Sequence, residues 1–296
     1  MGLLGLVREP TWRRQPLACA CRVASSLARR RIPLLREPAV TFDDGRSSVI
    51  ADLGTSLGLR LFRYGMRDPE FDLTRLLLHP GEVFVDVGAN VGLFSLVAAA
   101  RVGSTGRVLA CEPAPRMRAM VERNARLNHF RCIETHGVAV ADYTGSAEFV
   151  VFEGDGSGMS SFQPANLAGG QVEVVEVTTL DDLISEEERS RVALLKIDVE
   201  GAEGSVLRGG RRLIDHVRPD VLIEVEADHL ARQGTSVGEL QEFTDRAGYE
   251  AFRVAWDECG SVVLHHEDDW CRHARTPNLF LTTDTARAIA AGVTCR

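Results

Sequence analysis

The sequence has no apolar run long enough to span a bilayer; its longest candidates are interrupted by charges or glycines. It also lacks a basic excess, since 34 lysines and arginines stand against 42 acids for a net charge of −8. That balance argues against a general nucleic-acid binder, whose phosphate contacts need a basic footprint. Nor do the cysteines make a disulfide framework. The seven of them (Cys19, Cys21, Cys111, Cys132, Cys259, Cys271 and Cys295) are odd in number and scattered. Cys19 and Cys21 form C-x-C with no C-x-x-C or histidine pair beside it, which is a poor zinc spacing. Reduced thiols in a cytoplasmic protein are the expectation. No continuous apolar stretch follows the first charges, so secretion is not expected.

What is present suits one large α/β domain with a short appendage, at 296 residues and 45% hydrophobic composition. From Met1 to Glu37 there are eight arginines and two acids, with Arg29, Arg30 and Arg31 in a row. Prolines at 10, 16, 33 and 38 break its apolar stretches. Residues 1–45 are therefore expected to form an arginine-rich, poorly ordered extension, dispensable for chemistry, and residues 46–296 the domain.

Within the domain, strands and helices alternate. Glu82–Val87 is a short buried strand by length and valine content, and Val91–Val102 a helix. Arg107–Glu112, Pro115–Asn128 and Cys132–Val140 continue as strand, helix and strand. Ala147–Phe152 and Val172–Thr179 read as a hairpin joined by a glycine- and serine-rich loop. Val192–Val199, Glu203–Val217 and Pro219–Val225 resume the alternation, Val237–Ala247 is helical, and Tyr249–Ala255 and Asn278–Thr282 are the last strands. Such a pattern predicts a doubly wound, mainly parallel sheet covered on both faces.

Three stretches carry chemistry. Asp86-Val87-Gly88-Ala89-Asn90-Val91-Gly92 joins a strand end to a helix start. There, glycines let backbone approach a ligand and free N–H groups face it. The dinucleotide fingerprint G-x-G-x-x-G is absent, and the acid two residues before Gly88 suits a cationic methionine head better than a diphosphate. Glu112 ends the second strand, where an acid accepts ribose hydroxyls of either a nicotinamide or a methionine nucleoside. Its replacement by alanine is expected to weaken cofactor binding and leave the fold intact. The third stretch puts Lys196, Asp198 and Glu200 on one face of a central strand at its carboxyl end. Charges there are costly unless they meet a ligand, one another or solvent. Both a crevice role and a self-satisfied ion network stand as readings.

VFVDVGANVGLFS, ACEP, TLDDL and LLKIDVEGAEGSVLRG together resemble the successive signatures of the FkbM family of S-adenosylmethionine-dependent methyltransferases, over about Leu61 to Leu281. The resemblance implies the class I methyltransferase fold, a Rossmann-like sheet of seven strands with the last antiparallel. It implies S-adenosylmethionine as cofactor and methyl transfer to a hydroxyl of a small natural product or sugar; the acidic balance and the lack of a spanning run add the expectation of no nucleic-acid and no membrane partner. Carried over by residue, Asp86, Gly88, Asn90 and Gly92 become the methionine-side cradle and Glu112 the ribose acceptor. Asp142 falls near the adenine or serves as a turn cap, and Ser160 and Ser161 face cofactor or substrate or form an idle loop tip.

Methyl transfer needs an aligned acceptor and a base or metal to take its proton. Asp198 and Glu200 are the expected positioning or base residues, with Lys196 as electrostatic partner. His229 is the second candidate base, although a plain surface role suits it better. A magnesium ion held by Asp198 with Glu224 or Glu226 is compatible with the oxygen donors, but nothing in the sequence sets its coordination. A nicotinamide oxidoreductase and a non-catalytic module on the same fold are the rival classes.

Overall fold

A computed structural model describes residues 16–32, 35–42, 45, 47–152, 170–270 and 278–295. Helix α1 (Pro16–Arg29) precedes an antiparallel pair, β1 (Ala39–Phe42) and β2 (Ser47–Ile50), and then helices α2 (Ser56–Tyr64) and α3 (Pro69–Leu77). The alternating part opens with β3 (Val83–Val87), α4 (Leu93–Val102), β4 (Arg107–Cys111), α5 (Pro115–Leu127) and β5 (Ile133–His136). Strands β6 (Val138–Val140), β7 (Gly145–Val151) and β8 (Gln171–Thr178) follow, with single helical turns α6 (Leu180–Leu183) and α7 (Glu186–Arg189). Next come β9 (Val192–Ile197), α8 (Glu203–Gly209), β10 (Asp220–Glu224), α9 (Ala227–Arg232), α10 (Val237–Arg246) and β11 (Glu250–Trp256). The last described elements are β12 (Val262–His266), β13 (Asn278–Thr282), α11 (Thr285–Ala290) and β14 (Thr294–Cys295).

The main sheet has nine strands in the order β14-β12-β11-β13-β10-β9-β3-β4-β5. From β5 to β10 every neighbour is parallel, while β13 enters antiparallel between β10 and β11. Seven of the nine, β5 through β11, thus form the expected array; β12 and β14 extend its edge. β3 and β9 are buried at every position, as a central strand between two helical layers must be. Their side chains alternate. Val85, Val87, Leu195 and Ile197 join one core, and Phe84, Leu194, Leu222 and Phe280 the other, against α3 and α4. Asp86 and Lys196, in register with one another, fall on the second face, beneath those two helices.

Two expectations need revision. The strand expected over Cys132–Val140 breaks at Gly137, where the chain leaves the main sheet. β6 then pairs with β8, which pairs with β7 as the expected hairpin, making a separate three-stranded sheet. The extension is also more structured than its composition suggests. α1 packs on α2, with Cys19 and Ser26 fully buried and Arg63 donating to the Ser26 hydroxyl at 2.8 Å. Arg36 pairs with Asp52 at 2.9 Å. The inward stripe is Cys19, Val23 and Ser26, at helical spacing but made of small residues, so a reading of hydrophobic periodicity passes over it. Among the described residues, no helix is long and apolar enough to cross a membrane.

Candidate functional site

The carboxyl ends of β3, β4 and β9 lie level, with Val87 opposite both Cys111 and Ile197. Just past them the chain turns sharply. Gly88, Asn90 and Gly92 all take positive φ, of 83°, 53° and 85°, and the N–H groups of Gly88 and Ala89 both donate to the Cys111 carbonyl at 3.0 Å. A side chain on Gly88 would lie 1.9 Å from the Asp198 carbonyl oxygen, so the β3 turn touches the end of β9 because position 88 has none.

Beside this turn is a cavity of about 270 Å³, near the lower end of the roughly 300–1,000 Å³ typical of small-molecule sites. Gly88, Asn90, Glu112, Asp198, Glu200 and Glu224 line its polar side; Val138, Val140 and Phe149 line its apolar side. Asn90 contributes a buried Oδ1 with no hydrogen-bond partner among the described residues. Glu112 is buried, and its two oxygens already accept the Asn90 N–H at 2.8 Å and the Ala114 N–H at 2.9 Å. It therefore ties the β3 turn to the start of α5, and alanine in its place would disturb the fold as well as the cavity. The expectation of a fold-neutral substitution is revised accordingly.

Several expected site residues lie behind the cavity wall. Asp86 is buried and accepts from the Ser95 hydroxyl at 2.5 Å, bracing the first turn of α4. Gly92 gives α5 room, since a side chain there would crowd Val121 at 3.1 Å. Asp142, outside the cavity lining, pairs with Arg208 at 2.9 Å, and its N–H donates to the Ser205 hydroxyl at 3.1 Å. Lys196 is fully buried, 3.2 Å from Asp198 Oδ2 and from Asn278 Oδ1, with its ammonium 5.3 Å from the Phe94 ring centre. Ser160 and Ser161 lie outside the described residues, as does most of the glycine- and serine-rich loop that carries them.

The loop after β9 explains the E-G-A-E spacing. Glu203, buried at the start of α8, accepts from the N–H groups of Val199 at 3.2 Å and Gly201 at 3.0 Å. Gly201, at φ 109°, lets the His229 carbonyl approach; a side chain there would meet that oxygen at 2.3 Å. The result places Glu200 against His229, with Oε2 to Nδ1 at 2.7 Å.

Burial dominates the electrostatics of this region. It raises Glu112 to about 7 against its backbone N–H donors, and Asp86 to about 6 against the Ser95 bond. Glu200 rises to about 8 through burial and the nearby Asp198 charge, and Glu224 to about 10 through burial and the charges of Asp198 and Glu200. Burial would lower Lys196, but Asp198, Glu70 and Glu224 outweigh it and raise its pKa. Glu70, a buried residue in the first turn of α3, rises to about 8 through burial and Asp68.

The raised carboxyls give a pH dependence of stability. Between an ordinary value of 3.8 or 4.5 and the raised value, the fold holds protons that the unfolded chain has released. Their contribution is complete below that ordinary value and drains as pH climbs through about 6 to 8. Asp52 and Asp142 are lowered, so their opposite contributions change only below 3.8. The melting temperature of the ligand-free chain should fall steadily from about pH 5 to about pH 8. Calorimetric scans showing a flat or rising profile would contradict these burial assignments.

Residues 86–251 match the methyltransferase FkbM domain family. The chain belongs to that family. It is 30% identical over 180 residues to the 2-O-methyltransferase NoeI of Sinorhizobium fredii, covering 54% of this chain and 72% of that protein. To the 31-O-demethyl-FK506 methyltransferase FkbM of Streptomyces tacrolimicus it is 35% identical over 161 residues, covering 45% of this chain and 60% of that protein. The AMB antimetabolite synthetase AmbE of Pseudomonas aeruginosa is 28% identical over 223 residues, 64% of this chain but 10% of that much longer protein. Family membership accounts for the paired turns after β3 and β9, both of which fall inside the matched span.

Sequence reasoning missed three contributors. Glu70 looks like an ordinary first-turn acid beside the Asp68 cap, and Asn278 is an isolated polar residue opening a strand. The Val138–Val140 wall was read as the continuation of a strand. None carries a local signal, because each reaches the site only through pairing across the sheet or packing beneath it.

Proposed function

We propose that this FkbM-family chain binds S-adenosylmethionine in the cavity beside the β3 turn and transfers its methyl group to a hydroxyl oxygen of a small-molecule acceptor. The observation carrying this reading is the buried Asn90 Oδ1, unpartnered among the described residues, in a cavity that Glu112 and the Gly88 turn share. An acceptor atom without a donor and a backbone edge without side chains suit a polar, cationic amino-acid head. Glu112, with lone pairs beyond those its backbone donors use, would accept ribose hydroxyls. Val138, Val140 and Phe149 offer an apolar face to the base.

When bound, the sulfonium supplies an electrophilic methyl group. Asp198, on the cavity side opposite Glu112, would take up the proton of the acceptor hydroxyl, and Glu200 beside it would help to orient that hydroxyl. Lys196 is a positioning residue: buried below, it holds Asp198 through its ion pair. NoeI and FkbM are both named as oxygen methyltransferases, which supports an oxygen acceptor. The net charge of −8 fits a small-molecule acceptor better than a nucleic acid.

Titration calorimetry should give S-adenosylmethionine binding in roughly the micromolar range, worth about 8 kcal/mol, and no heat with NAD. Labelled methyl groups should appear in hydroxylated acceptors. NAD binding without S-adenosylmethionine binding would overturn the proposal.

A further inference from the structure

Glu200, Glu224 and His229 come from the loop after β9, the last position of β10 and the first turn of α9, yet they converge. One ligand-capable atom from each lies within 4.8 Å of the other two. Each also contributes a buried atom with no hydrogen bond among the described residues: Glu200 Oε2, Glu224 Oε2 and His229 Nδ1. The 2.7 Å approach of His229 to Glu200 is short enough for a strong bond, but the two groups are not aligned on one another. Leaving one buried polar atom unpaired costs about 1–3 kcal/mol. Two carboxylates and an imidazole converging with no well-aligned bond at these atoms indicate that a positively charged occupant belongs between them.

We propose that Glu200, Glu224 and His229 bind one divalent transition-metal ion at the acceptor end of the cavity. One imidazole and two carboxylates suit an ion such as Mn2+, Fe2+, Co2+ or Zn2+; a magnesium site would favour oxygen and water alone. The ligand set differs from the one expected from sequence. Asp198 turns toward Lys196, and Glu226 stands at the rim, 3.6 Å from His229 and 44% exposed. The loop is built to hold the ligands, since Glu203 pins Val199 and Gly201 while Gly201 admits the His229 backbone. The binding site stands independently of methyl transfer. Its chemical use, lowering the pKa of an acceptor hydroxyl beside Asp198, rests on the methyltransferase reading.

The test uses the full chain stripped with chelator and kept free of cofactor and acceptor. Titration with Mn2+ followed by electron paramagnetic resonance, and with Zn2+ by calorimetry, should show one ion per chain. Glu200→Gln, Glu224→Gln and His229→Ala should each weaken binding at least ~10-fold. Circular dichroism and a cooperative thermal melt check that each variant is folded, and His229→Gln replaces any alanine variant that is not. Absence of stoichiometric binding in the wild-type chain, or equal binding in all three folded variants, would overturn the site and leave an ordered water as the occupant. Methyl transfer that continues undiminished in chelator, with one ion bound in its absence, would overturn the catalytic use alone. Ion binding by a chain that transfers no methyl group would support the site while counting against the methyltransferase reading.

Discussion

Replacing Asp198 by asparagine should cut methyl transfer by roughly 10²-fold or more, within the range of a lost general base, while cofactor affinity changes little. Asp198 lines the cavity beside Glu200 and Glu224, whereas the proposed nucleoside contacts come from β3, β4 and β6. The substitution preserves shape and leaves an amide oxygen for Lys196. That ammonium also keeps the Asn278 amide oxygen at 3.2 Å and the face of the Phe94 ring at 5.3 Å, so the buried cation is not stranded. A purely structural Asp198 would give the opposite pattern: a lower melting temperature with normal turnover per folded molecule. Turnover, cofactor affinity and melting temperature measured on one preparation separate the two, and near-normal turnover would remove Asp198 from the reaction.

Gly88→Ala should abolish measurable cofactor binding and destabilise the chain by about 3 kcal/mol or more. Two costs combine. Alanine at φ 83° is strained by about 1–2 kcal/mol. Its methyl group would also sit 1.9 Å from the Asp198 carbonyl oxygen, backbone that cannot swing aside as a side chain would. Relief requires the β3 turn to move away from β9, which breaks the bond from the Asp198 N–H to the Val87 carbonyl, now 3.0 Å, and opens the cavity. Gly65→Ala is the control: its φ is 69° but a side chain would meet nothing within 4 Å, so only the strain remains. Equal losses in the two variants would show that close approach of β9 plays no part.

The sequence by itself determined the alternation of strands and helices, the level turn after Val87 and the acid at Glu112. Those features are local: a run of valines long enough for one strand, glycines where φ must be positive, and an acid at a strand end. The same reasoning assigned Lys196 and Asp198 to one face, and they are in fact an ion pair. What it could not decide is which face of the sheet is covered by what. Asp86 and Gly92 have the spacing of ligand contacts, but strand alternation turns Asp86 inward under α4, and α5 packs over Gly92. Asp142 follows β6, and its pairing with Arg208 from α8 comes from packing that no local pattern records. Glu224 and His229 meet Glu200 only because β10 lies beside β9 and Gly201 admits the backbone of α9. Tertiary structure alone decided these points, because hydrogen-bond register and helix cover bring together residues tens of positions apart, and no local pattern records that distance.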